Sequence, residues 1–280
     1  MQTALALARF VHFASLMSLF GAAVFVAALA PVSLDLAPRL RHWAPPLAAL
    51  ALTSALAWFW LVASDMAGDD LGALPEVASG TAFGKVWIAH VALLIAVLAA
   101  AWAPPVSVAL LAGFAVASLA LTGHAAMQDG AEGVLHRANH AVHLLTTAGW
   151  LGGLAPFLFC LRAFAANPQR YDALAAMMNF SRAGHIAVPL VLLTGVLNAA
   201  LTSGPPPWRA LTAWRLGLAI KAMIFLAMTA LALFNRYVLA PRAGRDPSSA
   251  ARLAAGALGE FALGLAALAD VSIFALSDPT

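Results

Sequence analysis

The chain has 280 residues, of which 63% are hydrophobic and only 10% charged, with a mean hydropathy of +0.89. A water-soluble domain carries about 25% charged residues, so that class is excluded, and a net charge of +3 spread over short links does not make a nucleic-acid surface. The single cysteine, Cys160, excludes intramolecular disulfides and cysteine-rich metal motifs.

What remains is a polytopic membrane protein forming one transmembrane domain, residues 1–280. Eight apolar stretches approach or exceed the roughly 20 residues needed to span a bilayer. They run over 4–30, 43–64, 84–102, 105–125, 134–161, 174–202, 212–237 and 251–275. The first is read as a membrane helix rather than a cleaved leader, because it lacks a basic start and its apolar run reaches Ala30. Pro31, Pro45-Pro46, Pro104-Pro105, Pro168, Pro205 to Pro207 and Pro241 fall near the ends of these stretches, where prolines stop or start helices. Pro189 lies inside the sixth and predicts a kink. The alternation that a membrane β-barrel requires is absent. The expected fold class is all-α, a bundle of eight transmembrane helices.

Lys and Arg orient the bundle. The links after the first, fifth and seventh stretches, with their flanks, hold nine: Arg39, Arg41, Arg162, Arg170, Arg182, Arg236, Arg242, Arg245 and Arg252. The opposite side holds five: Arg9, Lys85, Arg137, Arg209 and Arg215. The first side is expected to be cytoplasmic and both termini periplasmic. Trp58, Trp60, Trp87, Trp102, Trp208 and Trp214 fit an interfacial aromatic belt.

This topology sorts the histidines. His12, His90, His124, His136, His140 and His143 all fall toward the outer level, from four different stretches, with Met66 and Met127 beside them. His136, His140 and His143 stand at i, i+4 and i+7, which aligns three imidazoles along one helical stripe, and Thr147 and Trp150 continue it inward. Imidazole and thioether suit copper and similar metals. These eight residues are therefore the candidate metal ligands. The plainer reading of any one membrane histidine is a hydrogen bond to a neighbouring helix, and that of a lone methionine is gap filling. Trp150 either lines a path or fills the core. Lys221, Glu260 and Asp270 lie inside spans, where ionisable groups need partners. A Lys221–Glu260 ion pair is expected, with Asp270 as an acceptor that orients a histidine. No P-loop and no His-Glu-x-x-His stand in the sequence, and no catalytic residue is predicted.

Several short motifs, taken in order, resemble the CopD family of bacterial inner-membrane copper-resistance proteins. They are Arg9-Phe10-Val11-His12, Gly123-His124, His143-Leu144-Leu145 followed by Trp150-Leu151-Gly152-Gly153-Leu154, Phe180-Ser181-Arg182, Thr194 to Ala199 with Asn198, Lys221, Asn235-Arg236 and Glu260. The resemblance covers nearly the whole chain and is strongest over 120–276. His140 stands where the family often has Asp.

The resemblance implies copper handling at the inner membrane, and a periplasmic copper-binding partner of the CopC type. The function expected is acceptance of copper ions on the periplasmic side and transport across the membrane, without enzymatic activity. Two other readings stay open. One is a b-type haem electron-transfer protein using His90, His140 or His143 as axial ligands. The other is a copper-delivery or assembly factor that moves nothing across the bilayer.

Overall fold

The computed structural model describes residues 1–68, 70–123, 126–166, 170–203, 212–243 and 246–277. His124, Asp69, Pro168, Pro205 to Pro207, Trp208, Arg209 and Arg245 lie outside them.

The described chain is helical and without strands. In order, the helices are α1 (Gln2–Val24), α2 (Ala37–Ala67), α3 (Leu74–Gly80), α4 (Ala82–Ala99), α5 (Pro105–Ser118), α6 (Gly130–Ala166), α7 (Arg170–Ser203), α8 (Ala213–Phe234), α9 (Ala240–Ala243) and α10 (Pro247–Phe274). Short 3₁₀ turns occupy Val32–Leu34, Leu71–Ala73 and Leu119–Leu121. Single π-helical turns extend α1 over Phe25–Leu29 and α8 over Asn235–Leu239.

Seven of the described helices are long and apolar enough to cross a membrane. The stretch expected over 105–125 is helical only over Pro105–Leu121, counting its 3₁₀ turn. At 1.5 Å per residue it falls somewhat short of a full crossing. It is nonetheless well packed, with Val108, Ala112, Ala115 and Val116 fully buried.

Pro45 and Pro46 lie inside α2 rather than at its start, because α2 begins earlier, with Pro38 in its first turn. The carbonyls these prolines cannot serve belong to Arg41 and His42, which are exposed and so within reach of water.

α1 is the central helix and touches α2, α5, α6 and α10. Its crossing with α6 is backbone on backbone: a Cβ added at Gly21 would overlap Ala148 and Gly152, and one at Gly152 would overlap Met17 and Gly21. Lipid offers no hydrophobic drive between helices, so close approach through small residues supplies the attraction. Gly153, beside it, gives its space to the Phe180 ring of α7, and Gly264 of α10 to Leu151. The Trp-Leu-Gly-Gly-Leu run is thus a packing device joining α6 to three neighbours. One apolar cluster fills the α1–α2–α4–α5–α6 body, and a second, around Phe25, Cys160, Met177 and Leu253, fills the other end.

Candidate metal centre

α1 and α4 bring two histidines into contact. His12 is 0% and His90 1% exposed, and their Nε2 atoms stand 3.1 Å apart. The remaining nitrogens decide what that contact is. His12 Nδ1 lies 2.9 Å from the Ala51 carbonyl, which can only accept. The nearby Ser54 hydroxyl already donates to the Leu50 and Ala51 carbonyls. His12 therefore carries its proton on Nδ1. His90 Nδ1 lies 2.8 Å from Ser118 Oγ, which lies equally close to the Ala115 carbonyl. His90 Nδ1 can donate to that oxygen, or accept the Ser118 hydrogen and leave His90 Nε2–H to donate to His12 Nε2. With both protons on Nδ1 the two Nε2 lone pairs face each other, and a cation between them relieves their repulsion; with His90 protonated on Nε2 the contact is an N–H···N hydrogen bond. The pocket is aromatic: Trp58 and Trp87 stand 5.9 and 6.4 Å from the His12 ring, and Trp87 5.2 Å from His90. Indole faces favour positive charge, and the Arg9 guanidinium already uses Trp58 in that way at 5.0 Å.

Trp58, Trp87 and Trp214 are buried and not part of a belt, whereas Trp60 and Trp102 are exposed as expected. Trp87 turns inward because its indole N–H donates to the Ala55 carbonyl at 3.0 Å. Of the residues around the pair, sequence reasoning missed Ser54, Ser118 and the role of the two indoles. The legible signal was the presence of Trp58 and Trp87 on the helices that carry the backbone acceptor and His90.

The α6 histidines are arranged differently. His136, His140 and His143 do share one stripe, but each is held by its own partner. His136 Nδ1–H donates to Gln128 Oε1 at 2.8 Å, and the Gln128 amide donates to the Leu201 carbonyl at 2.7 Å. Asn198 Nδ2 donates to His140 Nδ1 at 3.2 Å, while Asn139 Nδ2 donates to Asn198 Oδ1 and to the Thr194 carbonyl. His143 Nδ1–H donates to Thr194 Oγ1 at 2.9 Å, and that hydroxyl donates to the Leu190 carbonyl. The His140 and His143 rings stack with centroids 6.4 Å apart. The result is a polar seam that joins α6 to α7. Gln128, Asn139 and Thr194 supply partners that the histidine spacing alone could not reveal.

Among the described residues no three His, Cys, Asp or Glu side chains gather around one point as a metal cage would require. Met66 and Met127 are 52% and 78% exposed. Trp150 is buried and packs edge-on to Phe225. The expected Lys221–Glu260 pair is replaced by other partners: Lys221 interacts electrostatically with Asp270 and His143, and Glu260 takes a hydrogen bond from Asn235 at 2.7 Å. Counting residues from the helix ends placed Lys221 and Glu260 at similar depths, but depth alone does not set which faces of α8 and α10 meet.

The fold and this pair define a multi-pass helical membrane protein with two imidazoles buried at the crossing of separate helices. Residues 1–134 match the family described as copper resistance protein D-like, N-terminal domain, and residues 174–274 match copper resistance protein D. The chain is similar to inner membrane protein YebZ of Escherichia coli (strain K12), 35% identical over 97% of both chains. It is also similar to copper resistance protein D of Pseudomonas syringae pv. tomato, 31% identical over 83% of this chain and 81% of that one. No solved structure matches. The chain belongs to the copper resistance protein D family and is a multi-pass inner-membrane protein.

Proposed function

We propose that this protein binds copper ions from the periplasmic side and passes them across the inner membrane, as one transmembrane domain of eight crossings with both termini outside. One observation carries the reading: two buried Nε2 atoms stand 3.1 Å apart, and each Nδ1 has an oxygen beside it that can hold its proton and free Nε2 for a metal. A metal about 2.0 Å from each nitrogen would subtend roughly 100° at that separation. That angle suits a bent centre whose other positions are filled by donors arriving with the ion. Copper accepts imidazole readily.

The α6 seam is the entry side of this reading. His124, His136, His140 and His143 would receive the ion at the surface, with Met66 and Met127 as weaker donors, and Asn198, Asp270, Lys221 and Trp150 as flanking groups. A periplasmic CopC-type protein is the proposed donor. Each stop must hold the ion loosely enough to release it.

The His12–His90 geometry does not favour haem. Iron between two axial imidazoles would keep the nitrogens about 4 Å apart, twice a metal–nitrogen bond, and would need a wide slot where Trp58 and Trp87 pack. The test is copper stoichiometry of the purified protein, read with its absorption spectrum. Wild type should bind copper without a Soret band, and the H12A/H90A variant should lose at least one equivalent. Unchanged stoichiometry in that variant rejects the pair as ligands. The H136A/H140A/H143A variant tests the seam in the same way, and copper uptake into liposomes separates transport from delivery.

A further inference from the structure

A second buried polar unit lies between α8 and α10. Glu260, midway along α10, and Asn235, which opens the π turn of α8, are each only 5% exposed. Asn235 Nδ2 donates to Glu260 Oε1 at 2.7 Å. The other atom of the same amide, Oδ1, is buried and receives no hydrogen bond from the described residues. Gly256, one turn before Glu260, lies flat against this amide, and a Cβ there would overlap it.

An ionised carboxylate only accepts hydrogen bonds, so it can serve the amide nitrogen and never the amide oxygen. A carboxylic acid can serve both. Its carbonyl accepts from the amide N–H while its O–H donates to the amide C=O, closing a ring of two bonds. Half of that ring is present here, and the orphaned acceptor is what the other half would use. Among the described residues no cation pairs with Glu260 to favour the charged form. Arg236 donates to Ser181, Arg252 faces Asp246, and His185 bonds the Ser181 carbonyl and Tyr237. Lys221 and Asp270 interact with each other, and Cys160 of α6 lies in the apolar cluster. An isolated charge at membrane depth is costly.

We infer that Glu260 and Asn235 form a proton-binding site, in which the proton on the second carboxyl oxygen is held by Asn235 Oδ1. Proton release then requires the amide to withdraw. The π turn that begins at Asn235 supplies the means: π turns are single-residue distortions that often mark functional points, and relaxing one to α geometry would rotate Asn235 off Glu260. Resting on the copper-transport reading above, this makes the bound proton the coupling ion, taken up and released as copper moves.

E260Q tests it, because glutamine can make both bonds of the acid form and so preserves the fold. Infrared spectra of the purified protein at neutral pH should show a protonated-carboxyl carbonyl band that E260Q abolishes and D270N leaves in place. A wild-type band unaltered by E260Q, or no such band, overturns the site. In proteoliposomes, a pH gradient should accelerate copper uptake by wild type and leave uptake by E260Q unchanged. E260Q responding to the gradient like wild type overturns the coupling role. Wild type that moves no copper at all counts against the transport reading instead, while the infrared result still decides Glu260.

Discussion

An imidazole whose Nδ1 proton is committed has a single lone pair left to offer, and its direction is set by whatever holds the proton. Ser118 and the Ala51 carbonyl therefore matter as much as the histidines they hold. Such orienting partners typically change metal affinity 10–100-fold. S118A should keep the copper stoichiometry of wild type and weaken copper binding at the pair by about tenfold or more, measured by competition with a chelator of known affinity. At the start of α10, Asp246 accepts from the Ser248 amide and from the Ser248 and Ser249 hydroxyls, which hold its carboxylate down to about 2. A lowered folded value means that the cap stabilises the helix above the ordinary value of 3.8 and loses that contribution as pH falls toward 2. Thermal unfolding compared between wild type and D246A should therefore differ at pH 6 and converge near pH 2.

Between elements, the decisive contacts are the ones without side chains. α1 and α6 meet through Gly21 and Gly152, and any Cβ there forces the two backbones apart. G152A should destabilise the protein by about 1–3 kcal/mol, the usual cost of overpacking, seen as a lower midpoint in thermal unfolding. G149A should be near neutral, because nothing lies within 4 Å of a Cβ at that position. Much of this level was legible beforehand. The helix-forming stretches, the small residues at Gly152-Gly153 and the shared outer depth of His12 and His90 follow from hydropathy and counting alone. The facing of helices was not legible. Matching depth pointed Lys221 to Glu260, and nearness to helix ends put Trp58 and Trp87 in the interfacial belt, but rotating a helix about its own axis leaves the hydropathy profile unchanged.

For the whole molecule, the proposed topology fixes how many times the chain crosses. With both termini outside, as proposed, the number is even and α5 crosses despite its length. Single cysteines can decide this in a C160A background. Positions Gln2 and Ser277 should both react with a membrane-impermeant maleimide in spheroplasts, whereas Val32, 98% exposed in the link after α1, should react only after lysis. Labelling of Gln2 and Ser277 from opposite sides would leave seven crossings and put α5 on a membrane face.

Composition alone determined that this chain lives in a bilayer as helices, because a sequence with so few charges cannot cover a soluble surface and backbone groups in lipid must pair within a helix. The order of its short motifs was enough to point to the copper resistance protein D family. Only the tertiary structure decided that His12 and His90 meet nitrogen to nitrogen, that the α6 histidines are tied instead into a seam with α7, and that Glu260 belongs to Asn235. Those pairings depend on the rotation and crossing of helices far apart in sequence, which arise from backbone contact at a few glycines and leave no periodic trace along the chain.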